Sequence, residues 1–226
     1  MNILALDCAV TRISLAVKTD SKFLSATYDI GMRQSEILVP SIDELLKKAD
    51  LTAADLNATC LTIGPGSFTG LRLGISALKA IELAYNVPVY GISSLETYAY
   101  PYKNFGLPVI SCIDANKDKF YCCISDGQNL ILKDNDYEIE KIIEGARSIE
   151  KAVICGPDAF KLADKLQNAM PEKKYLLPGV PAMTAESLIL ITEKLISEGS
   201  QPLKDFDGPV YLRASEAELK LNQTIS

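Results

Sequence analysis

The chain contains no histidine. That absence excludes Ser-His-Asp and Cys-His catalysis, histidine-based zinc chemistry and every imidazole acid or base, leaving carboxylates, Lys, Tyr, Cys or a bound nucleotide to carry any reaction. Long apolar runs are missing as well. The longest stretch without a charge, 56–71, is 16 residues and is broken by Pro65, so no transmembrane helix is expected. Before Asp7 only Ile3 to Leu6 are apolar and no basic leader precedes them, which points to the cytoplasm. Positive charge is scarce too: 23 Lys and Arg face 29 Asp and Glu, and neither half of the chain is basic, which argues against direct binding of DNA or RNA. The six cysteines include no Cys-x-x-Cys, and Cys122 and Cys123 would point to opposite faces of a strand. They read as reduced core residues rather than a zinc site or a disulfide framework.

A chain of 226 residues is long enough for one large domain or two small lobes with a real core. Residues 2–7, 13–18 and 22–30 read as three strands before any helix. Helical spacing follows over 34–49, at Ile37, Leu38, Ile42, Leu45 and Leu46, with Pro40 expected to bend the helix or mark a turn. A buried strand at 58–63 leads into Gly64-Pro65-Gly66-Ser67-Phe68-Thr69-Gly70, then a helix to about 86, a strand at 87–92 and a helix capped by Ser93 or Ser94. The order β-β-β-α-β-α-β-α is that of a ribonuclease-H-like lobe rather than a plain doubly wound sheet. A second pass begins at Val109, where Ile113-Asp114-Ala115 and the strand 120–125 echo Leu6-Asp7 and the strand 13–17. A strand at 152–155 and helices at 157–170 and 184–197 complete it. The expected fold is therefore α/β, an actin-like two-lobe duplication with mixed central sheets, lobes 1–106 and 107–226, the second smaller, and Asp7 and Asp114 as counterparts.

A strand, glycines and a helix start can present backbone N–H groups to an anion, or can simply turn the chain. The loop is not a P-loop, because Leu71 follows Gly70, and it lacks the spacing and the acidic partner of a dinucleotide site. With the first turn it makes Asp7, Thr11, Gly64, Gly66, Ser67 and Gly70 the candidate, degenerate phosphate loops. Asp7 could meet a metal-bound phosphate or merely cap nearby N–H groups at the strand end. Beyond the loop, the helix 71–85 has Arg72, Ser76, Lys79 and Glu82 as its only polar positions, so it should be covered on more than one side. Either the sheet and the helix at 34–49 cover it, or an outer face docks on another protein.

The block Gly64-Pro65-Gly66-Ser67-Phe68-Thr69-Gly70-Leu71-Arg72-Leu73-Gly74 closely resembles the TsaB (YeaZ) family, bacterial proteins needed for the threonylcarbamoyladenosine modification of tRNA. Ile3 to Asp7, Gly91-Ile92-Ser93-Ser94-Leu95, Ile113-Asp114-Ala115 with Tyr121, and Pro209-Val210-Tyr211-Leu212-Arg213 agree with it, so the resemblance spans nearly the whole chain. It implies an actin-like protein without catalysis of its own, a scaffold that pairs with its paralogue TsaD and a TsaE-type ATPase to modify tRNA position 37. It also implies a homodimer in isolation, and tRNA contact only through the complex. The His-x-x-x-His metal ligands of TsaD fall on Ser94 and Tyr98, so no metal and no catalytic residue are expected. The first loop reads Asp7-Cys8-Ala9-Val10-Thr11, short of two hydroxyls, and Arg33-Gln34-Ser35 replaces a histidine-bearing motif. No cofactor is therefore expected on the chain alone, with ATP or ADP at the junction with TsaD. For the partner interface the resemblance favours Ile37, Leu38, Ser41, Leu45, Arg72, Ile75 and Lys79. The competing readings are an actin-like small-molecule kinase or ATPase and a glycoprotease-type peptidase.

Overall fold

The protein is described by a computed structural model over residues 1–31, 33–179 and 183–213. The first lobe runs β1 (Ile3–Asp7), β2 (Arg12–Lys18), β3 (Phe23–Asp29), α1 (Gln34–Lys48), β4 (Ala58–Gly64), α2 (Phe68–Tyr85), β5 (Val89–Ser93) and α3 (Ser94–Ala99). Its strands order β3-β2-β1-β4-β5. The second lobe runs β6 (Val109–Asp114), β7 (Lys119–Ser125), β8 (Leu130–Glu138), α4 (Ile139–Ala146), β9 (Lys151–Cys155), α5 (Ala159–Ala169), β10 (Lys174–Leu176) and α6 (Thr184–Ser197). Read from the matching edge, its order is β8-β7-β6-β9-β10, the same topology. The duplication is thus real, and each copy has an antiparallel meander followed by parallel pairs. Asp7 and Asp114 hold equivalent places as the last residues of β1 and β6, facing Ser14 and Phe120.

Local sequence explains most boundaries. Ser67 caps α2 by accepting from the Gly70 N–H, and Asn86, in the left-handed region, ends it before Pro88. Ser93 caps α3 by accepting from the N–H groups of Leu95 and Glu96. The turn or bend expected at Pro40 does not divide α1, which runs through it as one helix. Pro40 sits on the exposed side, as does Glu36, whose carbonyl loses its helical donor, so water can replace the missing bond. Residues 126–150 carried no expectation, yet they form β8 and α4. The edge strand β8 buries only Leu132 among its nine residues, which leaves it no strong apolar signature.

One helix is not where the chain order put it. All five residues of β1 are buried, so this sheet needs cover on both faces. Helices α1 and α2 cover one face, packing Leu38, Ile42, Leu45, Leu46, Ile75 and Leu78 on Leu4, Leu6, Leu15 and Val17. The other face, with Ile3, Ala5, Ala16 and Cys60, is covered by Ala185, Leu188, Ile189 and Ile191 of α6, which the chain order had assigned to the second lobe. Reciprocally, α3 of the first half puts Leu95 and Tyr98 against Val109, Ile113, Cys123 and Cys155 of the second sheet. The two halves exchange helices, and this exchange builds the wall between the lobes. All six cysteines are free and buried. Among the described residues no helix is long and apolar enough to cross a membrane.

Candidate functional site

The glycine-rich loop is packed against the turn between β1 and β2. A Cβ on Gly66 would lie 2.3 Å from the Ala9 carbonyl oxygen, and one on Gly70 would lie 2.1 Å from that of Cys8. Both positions need glycine because another backbone occupies the space. Two of the N–H groups an anion could use are already engaged: Ser67 donates to the Ala9 carbonyl at 2.6 Å, and Gly70 to the Ser67 hydroxyl at 3.2 Å. Gln34 seals the turn by donating from Nε2 to the Val10 carbonyl. Buried Asp7 acts as a cap, its Oδ1 accepting from the Ala9 N–H at 2.9 Å and the Thr62 hydroxyl at 2.7 Å. Of the six loop candidates, Asp7, Gly66, Ser67 and Gly70 thus meet at one closed turn, Gly64 packs instead on the Val210 carbonyl, and Thr11 alone lines the cleft between the lobes.

The second loop is closed in a different way. Asp114 pairs with Lys161 at 2.5 Å, and its N–H donates to Asp158 at 2.8 Å. With no glycine in the turn, Asn116, Lys117 and Asp118 all take left-handed conformations, at φ of 61°, 54° and 58°. That is a costly way to reverse the chain.

Ser94 and Tyr98 stand one turn apart on the same side of α3, and both are buried. Neither hydroxyl has a hydrogen-bond partner among the described residues. Burial, reinforced by the charge of Asp7, pushes the Tyr98 phenol well above its usual 10, so it stays neutral. A neutral phenol and an alcohol make a poor first coordination sphere for a divalent metal.

The remaining sequence candidates lie on α1 and α2, and the structure sorts them. Leu38, Leu45 and Ile75 belong to the core beneath the helices, and Ser41 is buried there. Ile37 is half-buried against the same core. Arg72 and Lys79 are engaged by the chain's own C-terminal segment: Arg72 Nε donates to the Tyr211 hydroxyl at 2.9 Å, and Lys79 Nζ to the Lys204 carbonyl at 2.8 Å. What α1 and α2 offer outward is instead a groove of about 480 Å³ lined by Val39, Ile42, Leu46, Ala77, Ile81 and Tyr85. Val39 is 60% exposed and Tyr85 53%. The sequence does not single out Ile81 and Tyr85 as outward-facing because α2 is apolar around most of its circumference, and Val39 on α1 lies outside the core spacing of that helix. Among the small residues of α2, Gly70 faces the Cys8 carbonyl, Gly74 faces Leu6 and Leu61 of the sheet, and Ala77 lies in the groove.

Comparison with known proteins places this geometry. A family model described as TsaD, tRNA N6-adenosine threonylcarbamoyltransferase, matches residues 31–199. The tRNA threonylcarbamoyladenosine biosynthesis protein TsaB of Escherichia coli K12 is 28% identical, with 98% of each chain aligned. The tRNA N6-adenosine threonylcarbamoyltransferase of Bacillus subtilis 168 is 29% identical over 89 residues, 39% of this chain and 26% of that one. Among solved structures, YeaZ from Pseudomonas aeruginosa shares the fold with a TM-score of 0.76 at 23% identity, over 93% of this chain and 99% of the other. The chain belongs to the family that this model describes, and within it to the TsaB (YeaZ) proteins.

Proposed function

We propose that this chain serves threonylcarbamoyladenosine synthesis at tRNA position 37 as a non-catalytic subunit, docking through α1 and α2 on a related TsaD-type catalytic subunit, with a TsaE-type ATPase joining the pair. The observation that carries the reading is the pair Ser94 and Tyr98, whose buried neutral hydroxyls stand where the resemblance places two imidazole metal ligands. Docking is supported by the apolar groove between α1 and α2, since exposed Val39 and Tyr85 gain from being covered at roughly 25 cal/mol per Å² of apolar surface. In isolation the same face would pair with a second copy.

What favours a subunit over a small-molecule kinase is the state of both loops, one filled by the backbone of residues 8–9 and the other tied to Lys161. On this reading ATP or ADP belongs to the partner or to the junction, and no cofactor sits on this chain alone. With a net charge of −6 the chain also leaves tRNA contact to the complex, in the cytoplasm. The test is reconstitution with the organism's TsaD and TsaE homologues. Modified tRNA should form only when all components are present, and this chain alone should neither turn over ATP nor retain tRNA at physiological salt. Multiple-turnover product from the isolated chain, or no dependence of the reaction on it, would overturn the proposal.

A further inference from the structure

Away from the helix groove, the two lobes face each other across a cleft of about 290 Å³. One wall is the first turn, Val10 to Arg12, with Asp29 beside it; the other is the end of β9 and the start of α5, Cys155 to Phe160. Tyr98 and Tyr102 complete the lining with Pro178 and Gly179.

Two features of this cleft are unexplained by packing. Arg12 and Asp29 are register partners on β2 and β3, yet none of the ion pairs among the described residues involves Arg12. Tyr98, a residue of the cleft lining, is 1% exposed, and its hydroxyl finds no protein partner among the described residues. A buried hydroxyl without an acceptor is costly, and native structures supply one from protein, water or ligand. Because the phenol stays protonated, it can act only as a neutral donor or acceptor and adds no charge of its own.

The geometry points to a binding site for a small monocarboxylate with an apolar or aromatic body. The carboxylate is held by the guanidinium fork of Arg12 and the hydroxyl of Tyr98, with Thr11 beside them, and the body lies against Tyr102 and Phe160. One guanidinium neutralises one negative charge. Asp29 lines the same cleft, and Asp7 and Asp158 act electrostatically on Tyr98, so a doubly charged phosphate meets more repulsion than a carboxylate does. In the glycine-rich loop, two N–H groups that a phosphate chain could use, those of Ser67 and Gly70, are engaged by the Ala9 carbonyl and the Ser67 hydroxyl. The volume, at the lower end for small-molecule sites, suits a single ring rather than a nucleotide.

The test uses the full chain with benzoate, butylammonium, AMP and inorganic phosphate as probes, read by ligand-observed saturation-transfer NMR and by shift of the thermal midpoint. Benzoate should bind saturably. Arg12→Gln and Tyr98→Phe should each weaken it at least tenfold, while Asp29→Asn, which removes a like charge, should tighten it severalfold. Tyr98→Phe keeps the ring that fills the wall, and its melting curve reports whether the fold is intact. No saturable benzoate binding, equal binding by wild type and Arg12→Gln, or weakening in Asp29→Asn would overturn the proposal. So would butylammonium, AMP or phosphate binding more tightly than benzoate.

Discussion

Arg72 and Tyr211 lie 139 residues apart in the chain and meet on the surface of the first lobe, Nε to hydroxyl at 2.9 Å. The guanidinium sits 3.7 Å above the Phe68 ring, which in turn stacks on Tyr211 at 4.8 Å. Around this contact the segment from Leu203 onward is fastened like a strap. The Leu203 N–H donates to Val89 and the Val210 N–H to Ile63, and Lys79 holds Lys204. Arg213 then crosses to the second lobe, where Nε and Nη2 both reach Asp136 Oδ2 and Nη1 reaches the Ala115 carbonyl at 2.8 Å. The Pro209 to Arg213 motif thus ties the lobes together.

Removing that tie should be felt at its far end. Arg213→Ala leaves Asp136, whose side chain is 14% exposed, without its cation, and should cost about 1–3 kcal/mol in urea unfolding. Adding Asp136→Asn should recover part of the loss. An additive double variant would show that the pair does not couple the lobes.

The glycine-rich loop offers a test by Cβ insertion. Gly66→Ala and Gly70→Ala drive a methyl into a backbone carbonyl and should destabilise by roughly 3 kcal/mol or more. Gly74→Ala, whose new Cβ would find its nearest neighbours at 3.6–3.7 Å, should stabilise α2 by about 0.5–1 kcal/mol. Thermal melts of the three variants give the answer, and equal effects would mean that close approach is not what these glycines serve.

The two faces of the helix pair separate in the same manner. Ile75→Glu buries a charge in the core and should cost about 4 kcal/mol or more, giving a protein that melts far lower or aggregates. Val39→Glu, at a 60% exposed position, should change stability by less than about 0.5 kcal/mol and yet abolish the TsaD-type complex in sizing chromatography. A Val39→Glu chain that still forms that complex would remove the groove from the interface.

Alkaline pH should weaken the fold through its thiols. Burial raises Cys60 and Cys123 from 9.0 to about 12, in Cys123 with the help of the neighbouring Asp134 charge. Since the unfolded thiols ionise first, stability is intact below about pH 9 and falls as pH rises from there toward 12, by up to about 1.4 kcal/mol per pH unit for each thiol. Thermal midpoints across pH 8–11 should show this decline, and Cys60→Ala should make it shallower by the share of one thiol. A flat profile in the parent protein would contradict the burial of these residues.

Much of this protein is legible in the chain order alone. Strands β1 to β5, helices α1 to α3 and the echo of Asp7 in Asp114 follow from periodicity, caps and proline stops, because these are local interactions within a few residues. That Ser94 and Tyr98 stand where the resemblance lays two imidazoles is likewise visible without coordinates. Tertiary packing decided the rest. Glycines at 66 and 70 announce a close approach, but whether an anion or the Cys8 and Ala9 carbonyls comes close depends on a turn nearly sixty residues earlier in the chain. The apolar face of α6 announces burial without saying on which sheet, and β1, apolar on both faces, claims it across the lobe boundary. On α2 nearly every side is apolar, so only its seating on β1 and β4 turns Ile75 inward and leaves Ile81 to the groove with Val39. Periodicity states how much of an element must be hidden; the shape of the assembled core determines which side is left for a partner.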